Sequence, residues 1–213
     1  MGELINGPNG SYKGKVGDTI GSSRNGVPYI KGRYKKQAGR VPAGEAANQG
    51  KFAMAHKWLQ PLLYFVKEGF SAFNRSSGAY NAAKSDLLKN AFEFVGDQLV
   101  INPAKANVSY GTLPLSENMA VALQDQNKLK FTWDPSEVKG GDRDDQIMML
   151  AYNVVDRVPV YTMSGMFRKT GEDLLQIPSD RGATYQVYVA FMSVDRNRQS
   201  QSLYLGEVTT LVV

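Results

Sequence analysis

Residues 29–36, Tyr29-Ile30-Lys31-Gly32-Arg33-Tyr34-Lys35-Lys36, interleave aromatic rings with cations. Cations neutralise phosphates and exposed rings stack on unpaired bases, so the run has the makings of a nucleic-acid contact. Lys13, Lys15 and Arg40 extend the cationic set along the same segment. The segment also offers apolar area to a protein partner, through Tyr12, Tyr29, Ile30 and Tyr34. Alternation along an extended strand puts Tyr29 with Lys31, Arg33 and Lys35 on one face. Ile30, Tyr34 and Lys36 then fall on the other, so neither face is purely basic.

The rest of the chain is poor in chemistry. Cysteine is absent and histidine occurs once, which removes thiol nucleophiles, Cys-ligated zinc and multi-histidine metal sites. His56 falls beside an apolar helical stripe and reads as a partly buried structural residue rather than a catalytic base. Gly10-Ser11-Tyr12-Lys13-Gly14-Lys15-Val16 superficially resembles a phosphate loop. It is one residue short between its glycines, has Val16 where a hydroxyl should hold magnesium, and no helix follows. Asp142-Arg143-Asp144-Asp145 offers oxygen ligands at no EF-hand spacing, with Arg143 opposing an ion, so it reads as an inter-strand turn. Glu137, Asp142 and Glu172 are the carboxylates whose convergence would permit glycoside hydrolysis. No serine lies in a Gly-x-Ser-x-Gly elbow. No catalytic residue, metal or cofactor is expected, and the chain reads as a non-enzyme.

The elements that must position these residues follow from charge and periodicity. The 213 residues carry a net charge of +5, unevenly: residues 1–57 hold ten Lys/Arg against three Asp/Glu, the remainder fifteen against seventeen. Eleven of the 21 glycines fall in the first fifty residues. Residues 1–44 therefore read as a basic, Gly-rich β-ribbon arm, with Arg24-Asn25-Gly26 as a hairpin turn. Residues 45–97 read as a helical hairpin. Phe52, Ala55, Leu59, Leu62, Leu63, Val66 and Phe70 form an apolar stripe, broken at Pro61 and ended by Gly69. A second helix is expected over 77–94, with Tyr80, Ala83, Leu87, Leu88, Ala91 and Phe94 inward and Gly96 as its C′ residue.

After residue 97 the period becomes two. Alternation over 128–134 turns Leu129, Phe131 and Trp133 inward, and over 184–191 does the same for Tyr185, Val187, Val189 and Phe191. Residues 147–155 are nearly continuously apolar, as in a strand covered on both faces. Further strands are expected over 98–101, 107–113, 120–124, 158–167 and 203–212. Turn residues punctuate these strands, and residues 98–213 read as an antiparallel β-sandwich.

Two resemblances sharpen this. Residues 129–213 resemble a fibronectin type III domain. Trp133, Tyr152, Leu175-Gln176-Ile177-Pro178, the run from Gly182 to Ala190, Ser200 and Ser202 carry the likeness. It implies that Tyr185 is a tyrosine-corner residue whose hydroxyl bonds backbone upstream. The whole chain resembles a functionally uncharacterised family of similar length encoded by Bacteroidota. Gly14-Lys15-Val16-Gly17, Lys51-Phe52, Leu59-Gln60-Pro61-Leu62, Gly69-Phe70, Tyr80-Asn81-Ala82-Ala83, Ser109-Tyr110-Gly111 with Leu113, Phe131 with Trp133, and Tyr152-Asn153 carry that likeness. The family usually has a Trp-Lys-Gly-type step where this chain has Arg24-Asn25-Gly26-Val27. The resemblance implies a fold and no mechanism.

The expected class is thus α+β, with arm, helical hairpin and fibronectin-like sandwich in that order. The expected function is a non-catalytic structural or assembly subunit of phage or other particle origin, a homo-oligomer or part of a larger assembly. It would use the arm and the sandwich edges for protein contacts. The alternative is a nucleic-acid-binding accessory protein using Lys13, Lys15, Lys31, Arg33, Lys35, Lys36 and Arg40. No signal-peptide pattern opens the chain, and its longest apolar runs fall well short of the ~20 residues that span a bilayer. A cytoplasmic protein or a virion component, without a membrane partner, is expected.

Overall fold

Short strands open the chain in a computed structural model that describes residues 3–4, 10–24, 26–33, 42–73, 78–125, 127–178 and 182–210. By its contacts the chain divides into two units, Met1–Ala46 and Ala47–Val213. In the first, β1 (Glu3–Leu4), β2 (Tyr12–Val16), β3 (Thr19–Arg24) and β4 (Val27–Gly32) pair in that order as an antiparallel meander. Val16 lies opposite Thr19 and Arg24 opposite Val27. Each turn places a glycine at positive φ, Gly17 at 56° and Gly26 at 81°, as tight hairpins require. The Asn-Gly hairpin is therefore where the sequence puts it, although Asn25 itself lies outside the described residues. Gly21 has a different reason to be glycine. A Cβ there would sit 2.0 Å from the Tyr12 carbonyl oxygen and 2.6 Å from its ring. The Tyr12 hydroxyl in turn bonds Thr19 Oγ1.

The second unit begins within α1 (Ala43–Leu59), followed by a 3₁₀ turn, Gln60–Leu62, then α2 (Leu63–Gly69) and α3 (Ala79–Asn90). Pro61 divides the first helix as its missing amide demands, and sits at the start of the turn, where no amide is needed. The tighter winding of that turn shifts the phase of the stripe. Trp58, Leu59, Leu62, Phe65, Val66 and Phe70 are buried. Leu63 is only half-buried, and Phe52, expected inward, is 55% exposed.

The second helix also ends earlier than its periodicity suggests. Phe92–Val95 forms β5 and pairs with β6 (Gln98–Ile101). Gly96, expected as a helix cap, instead opens the hairpin loop at φ 61°. Phe94 is 73% exposed rather than inward. The aromatic and β-branched run 92–95 favours a strand, and with a partner four residues on, that preference prevails over the helical spacing.

The remaining strands are β7 (Ala120–Gln124), β8 (Lys128–Thr132), β9 (Gln146–Asn153), β10 (Val158–Thr162), β11 (Glu172–Gln176), β12 (Thr184–Met192) and β13 (Leu203–Thr209). They form two antiparallel sheets, ordered β10-β9-β12-β13 and β11-β8-β7. Both faces of β9 and β12 are covered, which explains the unbroken apolar run in β9. Met148, Leu150, Tyr152, Tyr188 and Ala190 pack with the helices. Ile147, Met149, Ala151, Tyr185, Val187, Val189 and Phe191 pack with Leu129, Phe131 and Trp133. The protein is thus mixed α and β, with one sheet separating two cores. The strand expected over 107–113 is absent among the described residues. That segment is an irregular strap whose one strand-like contact pairs Leu113 with Ser200.

Candidate functional site

Cross-strand register decides what the ribbon sheet presents. Lys15 lies opposite Ile20, and Ile20 opposite Lys31; Ser22 lies opposite Tyr29, and Arg24 opposite Val27. Because side chains alternate, Lys15, Arg24, Lys31 and Tyr29 share one face. Val16, Thr19, Gly21 and Ile30 share the other, which carries no charge among its described residues on β3 and β4. The cationic face also carries Ile20, Ser22 and Val27, so among the described residues neither face is purely basic, while the cations of β2, β3 and β4 gather on one of them. Arg33 is less available. Its guanidinium lies 3.9 Å from the Asp18 carboxylate, and its amide donates to the Asp18 carbonyl at 3.1 Å. Lys13 pairs in register with Glu3. Tyr29 is 43% and Ile30 64% exposed, while Tyr12 is half-buried. Tyr34, Lys35, Lys36 and Arg40 lie outside the described residues.

The carboxylates weighed for glycoside hydrolysis do not come together. Glu137 and Asp142 line one groove and Glu172 lines another, where Lys130 Nζ meets its Oε2 at 2.6 Å. His56 is exposed rather than partly buried, with Nδ1 2.9 Å from the Tyr80 hydroxyl. Desolvation raises the pKa of Tyr80. Among the described residues no cluster of three His, Asp or Glu is placed to hold a metal ion. No helix among them is long and apolar enough to cross a membrane.

The acidic loop 142–145 is a turn between β8 and β9, and it has a role that sequence reading missed. It receives Arg168, which is 1% exposed. The guanidinium donates to the Asp142 carbonyl at 3.2 Å, Ser116 Oγ at 2.9 Å, the Pro114 carbonyl at 2.8 Å and Asp145 Oδ2 at 3.2 Å. It also lies 3.9 Å from the Phe191 ring centroid. Trp133 Nε1 donates to the Arg168 carbonyl at 2.7 Å. Burial pulls the pKa of Arg168 down and the Asp145 charge opposes that shift. This cation holds loops together and is closed to solvent. Nothing in the order of residues connects Arg168 to a loop more than twenty positions away.

The Ser109-Tyr110-Gly111 motif is likewise structural. Ser109 Oγ lies 3.1 Å from the Gly69 carbonyl oxygen and 2.7 Å from that of Ser200. The Tyr110 amide donates to Gly69 at 2.9 Å. A Cβ on Gly111 would meet the Gln199 carbonyl oxygen at 2.0 Å, and one on Gly69 would meet that of Val108 at 2.5 Å. The strap thus ties the end of α2 to the chain leading into β13, and its glycines permit the approach.

Antiparallel sheets, a short helical layer and a separate basic ribbon define a mixed α and β protein whose recurrent motif residues are mostly packing devices. A model of a family of unknown function (DUF6266) matches residues 11–206, and the chain belongs to that family. No curated protein and no solved structure matches it.

Proposed function

We propose that the protein is a non-catalytic structural or assembly subunit that docks through its N-terminal ribbon. The observation that carries this reading is β4, where all six residues are exposed. Among described residues 10–33 only Gly21 is buried. Ordering a backbone costs about 1–2 kcal/mol per residue, and a sheet without buried side chains has little to offset it. Covering Val27, Tyr29 and Ile30 would contribute on the order of 1.5–3 kcal/mol for each side chain fully buried. The outer edge of β4 would add backbone hydrogen bonds to a partner strand. The second-unit sheets support a fibronectin type III-like sandwich in the order β7-β8-β11 against β10-β9-β12-β13, whose edge strands are further contact sites. Light scattering of the full chain over a concentration series tests the proposal. Association that Ile30→Asp abolishes is expected; a monomer at every concentration overturns it.

A second reading rests on the shared face of Lys15, Arg24, Lys31 and Tyr29, that of a nucleic-acid-binding accessory protein. With Lys13, Lys15, Lys31, Arg33, Lys35, Lys36 and Arg40 all on phosphates, affinity for duplex DNA falls with salt at a log-log slope of about −6. Absence of binding to a generic oligonucleotide at low salt removes this reading.

A further inference from the structure

A pocket of about 320 Å³ in the second unit is lined by Lys57 and Trp58 of α1, by β6, and by Tyr152 and Arg157 at the end of β9 and the turn that follows it. We propose that it binds a small amphipathic carboxylate, an acid carrying one ring or a short acyl chain. Its polar lining supplies donors and cations and no acid. Neither Lys57 nor Arg157 has an ion-pair partner among the described residues, and no Asp or Glu lines the pocket. Trp58 is 6% exposed, and its indole N–H is buried without a hydrogen-bond partner. Native interiors rarely leave such a donor unmatched, so a ligand that shifts the wall beside the ring and offers an acceptor would complete it.

The site is held in place by its surroundings. Tyr152 donates its hydroxyl to the Trp58 carbonyl at 3.1 Å, and the two rings meet edge to face at 5.4 Å. Arg157 adopts φ 57° at the end of a turn closed by two bonds. Asn153 Nδ2 donates to Asp156 Oδ2 at 2.8 Å, and the Asp156 amide donates to Asn153 Oδ1 at 3.0 Å. Leu99, Ile101 and Val154 provide the apolar wall. The volume lies at the lower end of the roughly 300–1,000 Å³ of small-molecule sites, which favours a compact ligand over a long lipid chain.

Calorimetric titration of the full chain with octanoate, indole-3-acetate, octanol and octylamine tests the proposal. Both carboxylates are expected to bind at one per chain, octanol about tenfold or more weaker because it cannot form an ion pair with Lys57 or Arg157, and octylamine weaker still because its ammonium is repelled by them. Lys57→Gln with Arg157→Gln should weaken octanoate about tenfold and leave octanol unchanged. Trp58→Phe keeps an aromatic ring, removes the donor, and should weaken the carboxylates by a few-fold and octanol by less, because a neutral hydroxyl oxygen accepts more weakly than a carboxylate. Carboxylate binding no tighter than that of octanol, or no carboxylate binding at millimolar concentration, overturns the proposal. Both of those comparisons use the unmodified protein, so they hold even if a variant fails to fold.

Discussion

The ribbon sheet and the second unit combine the same ingredients to opposite ends. On β3–β4, Lys31 shares a face with Tyr29, and both are open to solvent. Near β12, Arg168 lies over Phe191 with its hydrogen-bonding capacity met on several sides and 1% of its surface exposed. A cation whose donors are matched inside the chain is a structural staple. One without such partners is left for something outside. The glycines divide in the same way: Gly111 is pressed against backbone, whereas Gly32 has nothing within 4 Å of where a Cβ would be.

The most severe test of that contrast is Arg168→Met. It leaves Asp145 a buried charge without its partner, and a loss of about 3–5 kcal/mol is expected. Lys31→Met in the ribbon should change stability by no more than about 0.5 kcal/mol. Both values come from denaturant midpoints, and similar costs would erase the distinction. Gly111→Ala is next. The 2.0 Å approach to Gln199 forces the strap to move, at a cost of about 1–3 kcal/mol typical of overpacking. Gly32→Ala should be neutral or stabilising by up to about 1 kcal/mol, since a residue compatible with its backbone restricts the unfolded chain.

Alkaline pH probes the buried side without mutation. Burial pushes Tyr152 up to about 12, and pushes Tyr188 well above the usual tyrosine value with help from its tyrosine neighbours. Unfolded tyrosines ionise near pH ~10, so the folded state binds more protons than the unfolded one above that point. Stability is intact below about pH 10 and falls as pH rises towards 12; a flat denaturation midpoint across that window contradicts the burial of these hydroxyls. An effect of opposite sign belongs to Asp195, whose pKa is held down to about 2 by the Ser193 hydroxyl and then by Asn197. Its contribution is present above the ordinary carboxylate range and is lost as pH falls through about 2. Trp58→Phe should also change stability little. Lost ring volume in the core opposes the gain from removing an indole N–H that bonds nothing in the chain, so the variant should lie within about 1 kcal/mol of the parent.

Much of the fold was legible because it depends on local rules. Pro61 lacks an amide, so the helix had to divide there. Asn25-Gly26 and the alternation around Phe131 and Val187 needed only the geometry of turns and strands. The errors fall where two local signals compete or where a neighbour decides. Phe92 to Val95 satisfied a helical spacing and a strand preference together, and pairing with residues 98–101 settled it. Phe65 was missed from the stripe because a single 3₁₀ turn rotates everything beyond it, whereas Trp58, three positions after Ala55 and before that turn, was legible from helical spacing and was passed over. The common face of Lys15, Arg24 and Lys31 depends on register, which no single strand encodes. The pocket at Trp58 was not legible at all, since its lining comes from α1, β6 and the β9–β10 turn.

The amino-acid order alone determined most of the helices, strands and turns, the basic character of the leader, and the absence of thiol chemistry. Those properties arise from bonds and side-chain preferances spanning only a few residues. Tertiary structure alone decided that β12, like β9, is buried on both faces although its sequence alternates, that Arg168 fills the acidic loop, and that the Trp58 N–H is left unpartnered. Each of these depends on groups far apart in the chain being brought within a few ångströms, and only packing sets those distances.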